Sequence, residues 1–270
     1  MTRGRATIRA GEAEAVVDAD DGCRLVSLRV GGHELLVTRG RRPWWYGGFV
    51  MAPWAGRLRG GVARHDGRER RFPVLDDGHA SHGLVHSTAW ESDGEGRWHT
   101  TVAADEWLGA LTLRQVVQLR PDGLLIELSA EATEAEVPVT LGWHPWFRRE
   151  VAGRSVEVGL PSESILAKDD AGIQTSERVP AGDGPHNDAF VDHDGAAVVR
   201  WPGVLDLRLR SDAPVLLVYD ADPAGVCVEP QTGPPDEVNG PSPRTARPGE
   251  PVSLRVELGW DPSSGERPVR

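Results

Sequence analysis

Short runs in which apolar and polar residues alternate recur along the chain, and they predict β-strands. The run at 205–211, LDLRLRS, shows the pattern best, because each leucine is followed by a charged residue. A period of two places the apolar side chains on one face, as in a half-buried antiparallel strand. The predicted strands are residues 6–10, 13–18, 24–30, 33–38, 70–75, 111–120, 124–133, 137–143, 155–160, 196–201, 205–211, 213–220, 225–230 and 252–260.

Glycine and proline turn signals separate these runs. Residues 121–123, Pro-Asp-Gly, predict the three-residue loop of a hairpin between the two strands on either side. No long, capped amphipathic helix pattern is present, so we expect an all-β sandwich or barrel with little helix. The polar stretch 168–194 is predicted to be a long surface loop, and the segment after Asp261 is predicted to be frayed.

The composition fits one folded domain over residues 1–270. Apolar residues make up 39% of the chain and charged residues 26%, and no internal repeat or low-complexity linker divides it. The net charge of −11 argues against nucleic acid or an anionic membrane as a partner, since both need a basic face. No N-terminal signal pattern and no 18-residue apolar run is present, which predicts a soluble, cytoplasmic protein.

The cysteine and histidine spacings predict no metal site. Cys23 and Cys227 form no CxxC motif, and we expect both to be buried free thiols in a reducing compartment. His82 and His86 have a spacing that suits metal ligands on a helix, but Gly83 disfavours a helix there. A zinc site would also need a third ligand at a recognisable spacing.

Glu229 is the leading candidate for chemistry. It lies between Val228 and Pro230, after a short apolar strand that we expect to end at Pro230. A strand end followed by proline-rich turns presents a side chain at the rim of a sheet, where sites are often built. The alternative is a structural carboxylate that forms a salt bridge with an arginine at the sheet edge, because buried acids need a partner.

Three other polar side chains complete an acid/base set: Arg57, His82 and His144. One carboxylate, two imidazoles and a guanidinium can act on a neutral, polyhydroxylated substrate. Each has a simpler structural interpretation, either a hydrogen-bonded core histidine or a surface arginine. If Arg57 and Arg59 lie on a strand, alternation sends them to opposite faces, so that only one faces a pocket.

Tryptophan is unusually abundant, with ten residues against two tyrosines and four phenylalanines. Five of them flank the polar positions above, namely Trp44, Trp45, Trp54, Trp143 and Trp146. Aromatic faces stack on the C–H faces of sugar rings, which favours a carbohydrate ligand. Core packing is the alternative, because tryptophan is large and mostly buried.

Five segments around these residues stand in a fixed order along the chain. They are MAPWAGRLRGG at 51–61, HASHGLVHSTAW at 79–90, LGWHPWFR at 141–148, HNDAFVD at 186–192 and VCVEPQTGPPDEVN at 226–239. In kind and order, over about residues 6–260, they resemble motifs of the aldose 1-epimerase (galactose mutarotase) family. The resemblance implies a β-supersandwich of antiparallel sheets and an isomerase that acts on a small-molecule sugar.

Carried over position by position, the resemblance implies roles for four residues. Glu229 would be the general base and His144 the general acid, while Arg57 and His82 would contact the sugar. The expected reaction exchanges the α and β anomers of a free hexose by opening and closing the ring, without a cofactor or a metal. We expect His144 to be protonated and Glu229 ionised near neutral pH, held by their mutual attraction.

The remaining expected substrate contacts are Asn187, Asp188, Trp54 and Trp146. Two positions depart from the family pattern. Gly56 stands where the family has an asparagine before the arginine, and Asn187 stands where it has an aspartate, with Asp188 one residue away. Asparagine donates and accepts hydrogen bonds but cannot pair with a charge. Both departures weaken an assignment to galactose or glucose.

Other functions stay open at this point. A hexose-6-phosphate 1-epimerase would need an anion site, which Arg57 and Arg59 could contribute to. A non-catalytic carbohydrate-binding protein would bind sugar without accelerating a reaction. A glycosidase or lyase would need a second carboxylate beside Glu229, but Asp236 and Glu237 look like solvated charges. The oligomeric state is expected to be monomer or homodimer.

Overall fold

The computed structural model describes residues 4–42 and 44–261, and these are almost entirely β-strand and turn. The first fourteen strands are β1 Arg5–Ala10, β2 Ala13–Asp18, β3 Arg24–Val30, β4 His33–Glu34, β5 Gly48–Met51, β6 Arg57–Leu58, β7 Val62–His65, β8 Arg68–Arg71, β9 Ala80–Ser81, β10 Glu91–Gly94, β11 Arg97–Val102, β12 Leu111–Arg120, β13 Gly123–Ala132 and β14 Val137–Pro138. The others are β15 Gly142–Pro145, β16 Phe147–Arg148, β17 Glu150–Val151, β18 Arg154–Ser155, β19 Glu157–Gly159, β20 Ser164–Lys168, β21 Gln174–Pro180, β22 Asn187–Val191, β23 Ala196–Trp201, β24 Leu205–Ser211, β25 Val215–Tyr219, β26 Gly225–Gln231, β27 Thr245–Ala246 and β28 Val252–Gly259.

Helical structure in this part of the chain is limited to two single 3-10 turns, Arg59–Gly61 and Glu237–Asn239. Within the described residues, no helix has the length and apolar character needed to cross a membrane. The prediction of an all-β fold with little helix is therefore confirmed. The segment that we expected to be frayed, after Asp261, lies outside the described residues.

Two large sheets carry the fold, and all pairings between the strands are antiparallel. The larger sheet has the order β1-β2-β3-β5-β15-β26-β25-β22-β20-β21, with β4 beside β3 and β16 beside β26. The smaller has the order β10-β11-β12-β13-β28-β24-β23-β19. One continuous core contains Leu28 and Val228 from the larger sheet and Leu113, Ile126 and Leu207 from the smaller. Burial of this apolar surface between the sheets is the main stabilising term of the fold.

The long hairpin of the smaller sheet forms close to where the sequence places it. In β12 the residues alternate between buried and more exposed, as a period of two requires. The register pairs Arg120 with Gly123, so the loop contains only Pro121 and Asp122. The three-residue loop was therefore wrong by one position, because Gly123 joins the ladder.

The stretch 168–194 is not the long surface loop that we predicted from its polarity. It contains β21 and β22 at one side of the larger sheet. β21 is the edge strand and most of its side chains are partly or fully exposed, which explains the polar sequence. β22 lies between β20 and β25 and carries Asn187 at its first position.

Several strand bounds also differ from the prediction. Residues 33–38 hold a strand only at His33–Glu34, and residues 70–75 only up to Arg71. The strand that was expected to end at Pro230 continues to Gln231. β5 was missed because all four of its residues are buried, so it has no alternation to detect.

Two prolines interrupt the ladder between β15 and β26. The register pairs Gly142 with Gln231, and β16 continues the same register with Phe147 opposite Val226. No ladder pair is formed between these points, where Pro145 and Pro230 lie. Proline has no N–H to donate, so a sheet opens where it is placed in a central strand.

The segment after β9 packs its backbone directly against the segment that follows β5. Gly83 adopts a φ of +77°, and a Cβ at this position would lie 2.0 Å from the carbonyl oxygen of Ala52. The Leu84 N–H donates to that same carbonyl oxygen at 2.7 Å. The close approach of the two backbone segments therefore requires glycine at position 83. This contact in turn fixes the position of the neighbouring His82.

Gly83→Ala is expected to destabilise the protein more than Gly78→Ala. Gly78 has a similar φ of +80°, but a Cβ at this position would have no neighbour within 4 Å, so its substitution reports the backbone strain without the clash. We expect the clash to add about 1–3 kcal/mol, the usual cost of overpacking. Urea unfolding of both variants measures the difference in their free energies of unfolding. Equal losses of stability in the two variants would show that the close contact at Gly83 contributes nothing.

Candidate active site

A cleft of about 450 Å³ opens where the ladder of the larger sheet is interrupted. Its floor comes from β15, β25 and β26, and its walls come from the segments around β6, β9 and β20 to β22. The residues that line the cleft include Arg42, Trp44, Trp45, Gly56, Arg57, Asp77, His79, His82, His144, Trp146, Lys168, Asn187, Leu217, Tyr219, Glu229 and Pro235. The cleft therefore combines an aromatic wall with a concentrated set of titratable groups.

His144 and Glu229 meet at the floor of this cleft. The antiparallel register pairs Gly142 with Gln231. His144 lies two residues after Gly142 and Glu229 two residues before Gln231, so these two side chains are opposite one another. His144 Nε2 lies 3.2 Å from Glu229 Oε1, and both side chains are buried. The partners of the Glu229 carboxyl group are the His144 imidazole and the Gln231 amide. Glu229 therefore does not form the salt bridge to an arginine that was the alternative interpretation.

Burial determines the protonation of this pair. Removal from water disfavours the carboxylate and raises the pKa of Glu229 to about 8, although the Gln231 hydrogen bond and the charge of Arg57 oppose this. Burial, with the nearby charges of Arg24 and Arg57, lowers the pKa of His144 to about 3. At neutral pH the pair therefore holds one titratable proton, on Glu229. This differs from our expectation of a charged pair, because the loss of hydration outweighs the attraction.

An aromatic stack holds the ring of His144 on both faces. Phe49 stacks on one side at 4.6 Å between ring centroids, and Trp146 stacks on the other at 5.6 Å. Trp45 continues the stack over Trp146 at 5.7 Å. The Arg24 guanidinium lies 4.8 Å from the Phe49 ring centre and closes the inner end. The imidazole is therefore fixed in orientation without a hydrogen bond to its Nδ1, which has no partner.

Gln231 lies beside Glu229 and fills part of the space left by Gly56. Its Nε2 donates to Glu229 Oε2 at 3.3 Å. A Cβ on Gly56 would meet Pro235 Cγ at 2.8 Å and would lie 3.7 Å from Gln231 Oε1. The asparagine that the family motif has at position 56 would collide with Pro235 here. Glycine at position 56, in place of the family's asparagine, is thus compatible with the positions of Pro235 and Gln231 in this chain.

Arg57 faces the cleft and is held by two neighbours. Its Nε donates to Asp77 Oδ2 at 2.6 Å, and its Nη1 donates to Ser81 Oγ at 2.7 Å. Arg59 instead pairs with Asp169 and Asp236 and does not line this cleft. Arg59 lies in a 3-10 turn and borders a different cavity, so the two arginines face separate pockets and strand alternation is not what separates them.

His82 lies at the wall of the cleft with its ring edge toward His144, at 5.0 Å between centroids. Its ring Nδ1 is 3.0 Å from Met51 Sδ, and its backbone N–H donates to the Gly56 carbonyl oxygen at 2.8 Å. Burial, together with the nearby charge on His144 when protonated, holds the pKa of His82 well below its usual value. His82 is therefore a neutral hydrogen-bonding group at the cleft surface.

The other expected substrate contacts divide between the cleft and its surroundings. Asn187 and Trp146 line the cleft. Asp188 lies outside the lining and binds Lys168 Nζ at 2.9 Å and His186 Nδ1 at 3.1 Å. Trp54 is also outside, where it stacks on Trp107 at 5.4 Å in the core. The structure therefore does not bring Asp188 or Trp54 to the cleft.

Arg42, Trp44 and Lys168 line the cleft but were not among the sequence candidates for substrate contacts. Trp44 and Trp45 had been noted among the five tryptophans that flank the polar positions and favour a carbohydrate ligand, but not as individual contacts. Lys168 was assigned to a loop, and its Nζ binds the backbone oxygen of Asn187 at 2.5 Å. Positive charges that come from separate segments of the chain carry no local motif, so only the fold reveals that they meet.

Two further polar groups differ from the sequence interpretation. Burial raises the pKa of Glu237 to about 6, so it is not a solvated charge as we expected. Both cysteines are buried and free, as predicted. Cys227, however, lies with His144 and Glu229 so that one donor atom from each falls within 4.8 Å of the others. The sequence spacing had given no sign of this set.

Several solved structures have a fold similar to that of this chain. A galactose mutarotase-like protein from Clostridium acetobutylicum superimposes with a TM-score of 0.80 at 18% identity, covering 94% of each chain. An aldose epimerase homologue from C. elegans has a TM-score of 0.80 at 13% identity, covering 96% of this chain and 99% of the other. Galactose 1-epimerase from Lactobacillus acidophilus has 0.75 at 15% identity, covering 95% and 94%.

These identities show the fold alone, and the β-supersandwich prediction is confirmed by them. A search of curated proteins found no match to the chain. The family assignment comes from a sequence model of the aldose 1-epimerase family, which matches residues 5–259. Because this match spans nearly the whole chain, the protein belongs to the aldose 1-epimerase family.

Proposed function

We propose that this protein is a mutarotase, which interconverts the α and β anomers of a free hexose. The observation that carries the proposal is the buried contact of 3.2 Å between His144 Nε2 and Glu229 Oε1 at the floor of the cleft. Family membership supports the same class of reaction. Ring opening needs one group that accepts a proton and another that donates one, and it needs nothing else.

In the proposed reaction, the anomeric hydroxyl of the sugar faces Glu229 and the ring oxygen faces His144. The proton held by the pair first shifts to His144, which leaves a carboxylate and an imidazolium. Glu229 then takes the proton of the anomeric hydroxyl while His144 donates its proton to the ring oxygen, and the bond between C1 and the ring oxygen breaks. Rotation about C1–C2 and closure by the reverse transfers gives the other anomer.

The walls of the cleft supply the binding contacts in this proposal. Arg57, already oriented by Asp77 and Ser81, would donate to sugar hydroxyls, as would His82 and Asn187. Trp146 and the tryptophans next to it offer apolar faces for the C–H side of the ring. Held groups of this kind lower the entropic cost of bringing the hemiacetal to the acid/base pair.

A phosphorylated hexose is the second candidate substrate. Arg42 and Lys168 line the cleft as well as Arg57, and Arg42 has only a loose ion pair with the exposed Asp76 at 3.9 Å. A guanidinium with free donors is well suited to a phosphate group. A free hexose is preferred because Arg57 and Lys168 already have carboxylate partners.

Glu229→Gln is expected to lower kcat by at least about 10²-fold, because the amide cannot accept the proton. Polarimetry of freshly dissolved α-D-glucose and α-D-galactose measures the approach to anomeric equilibrium with each variant. Glu237→Gln is the matched control, since Glu237 is also a carboxyl with a raised pKa but lies outside the cleft. It should keep wild-type turnover.

Near-wild-type rates in Glu229→Gln would refute its role as the base. No acceleration of either free sugar by the wild-type protein would move the proposal to a phosphorylated sugar, which the same assay on glucose 6-phosphate tests directly. Sugar binding by calorimetry without acceleration of any of these sugars would instead identify a non-catalytic binding protein.

The pH dependence of kcat/KM should show a high-pH limb near pH 8. The pair carries the single proton that the reaction needs until the proton of Glu229 is lost, at a pKa of about 8. Above that value the rate should fall about tenfold per pH unit, since the acid is then missing. The rates are measured by polarimetry after subtraction of the uncatalysed rate. A plateau that extends past pH 9.5 would contradict the assignment.

Glu229→Gln should also stabilise the fold at neutral pH. The folded pKa of Glu229 is above its unfolded value, so the penalty is absent well below pH 4 and grows as pH rises toward 8. An uncharged amide removes a penalty on the order of 1–3 kcal/mol at pH 7. Urea unfolding of both proteins at pH 4 and pH 7 checks this. A stability difference that does not change with pH would disprove it.

A further inference from the structure

Cys227 and Glu229 lie on the same face of β26, because side chains alternate along a strand. His144 reaches this face from β15, and its Nε2 contacts Glu229. We propose that His144, Cys227 and Glu229 form a binding site for a thiophilic divalent cation such as Zn²⁺, and that the bound cation inhibits the enzyme. The inhibition rests on the proposed function, whereas the binding does not.

The donor atoms are of the right kind and close together. One atom from each of the three side chains lies within 4.8 Å of the other two. Zinc is held by cysteine sulfur, histidine nitrogen and carboxylate oxygen at about 2.0–2.3 Å, so the donors must approach by up to about 1 Å. Rotations of the cysteine and glutamate side chains can supply this. The ladder between β15 and β26 has no pairs at this point, so its hydrogen bonds do not hold the two strands in register beside the donor set.

The charges also favour a dication. On binding Zn²⁺, the Cys227 thiol and the Glu229 carboxyl would each release a proton. The resulting thiolate and carboxylate, with a neutral imidazole, carry two negative charges, so the complex is neutral overall. A neutral complex suits this environment, because isolated charges are strongly disfavoured in a buried site. The sulfur selects soft metals over Mg²⁺ or Ca²⁺, which prefer all-oxygen sites.

The cleft gives a cation access to two of the three donors. Glu229 and His144 line the cleft, whereas Cys227 is fully buried behind them among Phe49, Met51 and Trp146. A bound cation would occupy the lone pairs of both the carboxylate and the imidazole. It would therefore end the proton transfers and compete with sugar for the same space.

Binding is measured first, without any activity assay. Titration of the EDTA-treated protein with Cd²⁺ should add an ultraviolet absorption band from a cadmium–thiolate bond, and Zn²⁺ should displace it. Cys227→Ser should lose the band and weaken Zn²⁺ binding by more than about 100-fold, beyond the effect of typical second-shell changes. Cys23→Ser is the matched control, because Cys23 is also buried and free but is not part of the donor set.

A band that persists in Cys227→Ser, or that is lost in Cys23→Ser, would overturn the proposal. Inhibition is then tested by polarimetry with Zn²⁺ and with Mg²⁺. Zinc should inhibit the wild type competitively with sugar, magnesium should not, and Cys227→Ala should resist zinc while it retains the turnover of the EDTA-treated wild type. Turnover that is lost with EDTA and restored by Zn²⁺ would overturn the inhibitory role. If no variant shows turnover, the proposed function fails while the cadmium band still decides the metal site.

Discussion

The site depends on hydrogen bonds that two neighbouring strands do not make. Pro145 and Pro230 remove backbone donors from the middle of the larger sheet, and the ladder between β15 and β26 opens between its pairs at Gly142 and Phe147. Elsewhere an unpaired central strand would be costly, since buried backbone groups need partners. Here the opening lets two titratable side chains from adjacent strands face each other at the base of a cleft.

The position of His144 is determined by packing rather than by hydrogen bonding. Phe49 and Trp146 clamp the ring from both faces, and Arg24 lies behind Phe49 with its own contacts to Asp21 and two backbone carbonyls. An imidazole clamped in this way keeps both nitrogens free of backbone partners. Its proton affinity is then controlled by burial and by the nearby charges of Arg24 and Arg57, which lower its pKa.

Sequence patterns predicted the fold class because most strands are buried on one face and alternate. They failed for β5, which is buried throughout, and for β21, which is a polar edge strand. Motifs predicted Glu229, His144, Arg57 and His82 as site residues, and all four line one cleft. Motifs could not show that Cys227 approaches His144, that Trp54 points into the core, or that desolvation reverses the expected charges. These depend on distances between segments far apart in the chain.

Burial of the pair has a consequence for the driving force of the proton transfers. It keeps Glu229 protonated and His144 neutral at pH 7. The carboxylate and imidazolium that the proposed ring opening requires are therefore a high-energy, sparsely populated form of the pair. From that form both transfers to and from the sugar are downhill, because they return the pair to its neutral state. The buried floor thus makes His144 a strong acid and Glu229 a strong base at the cost of a small reactive population.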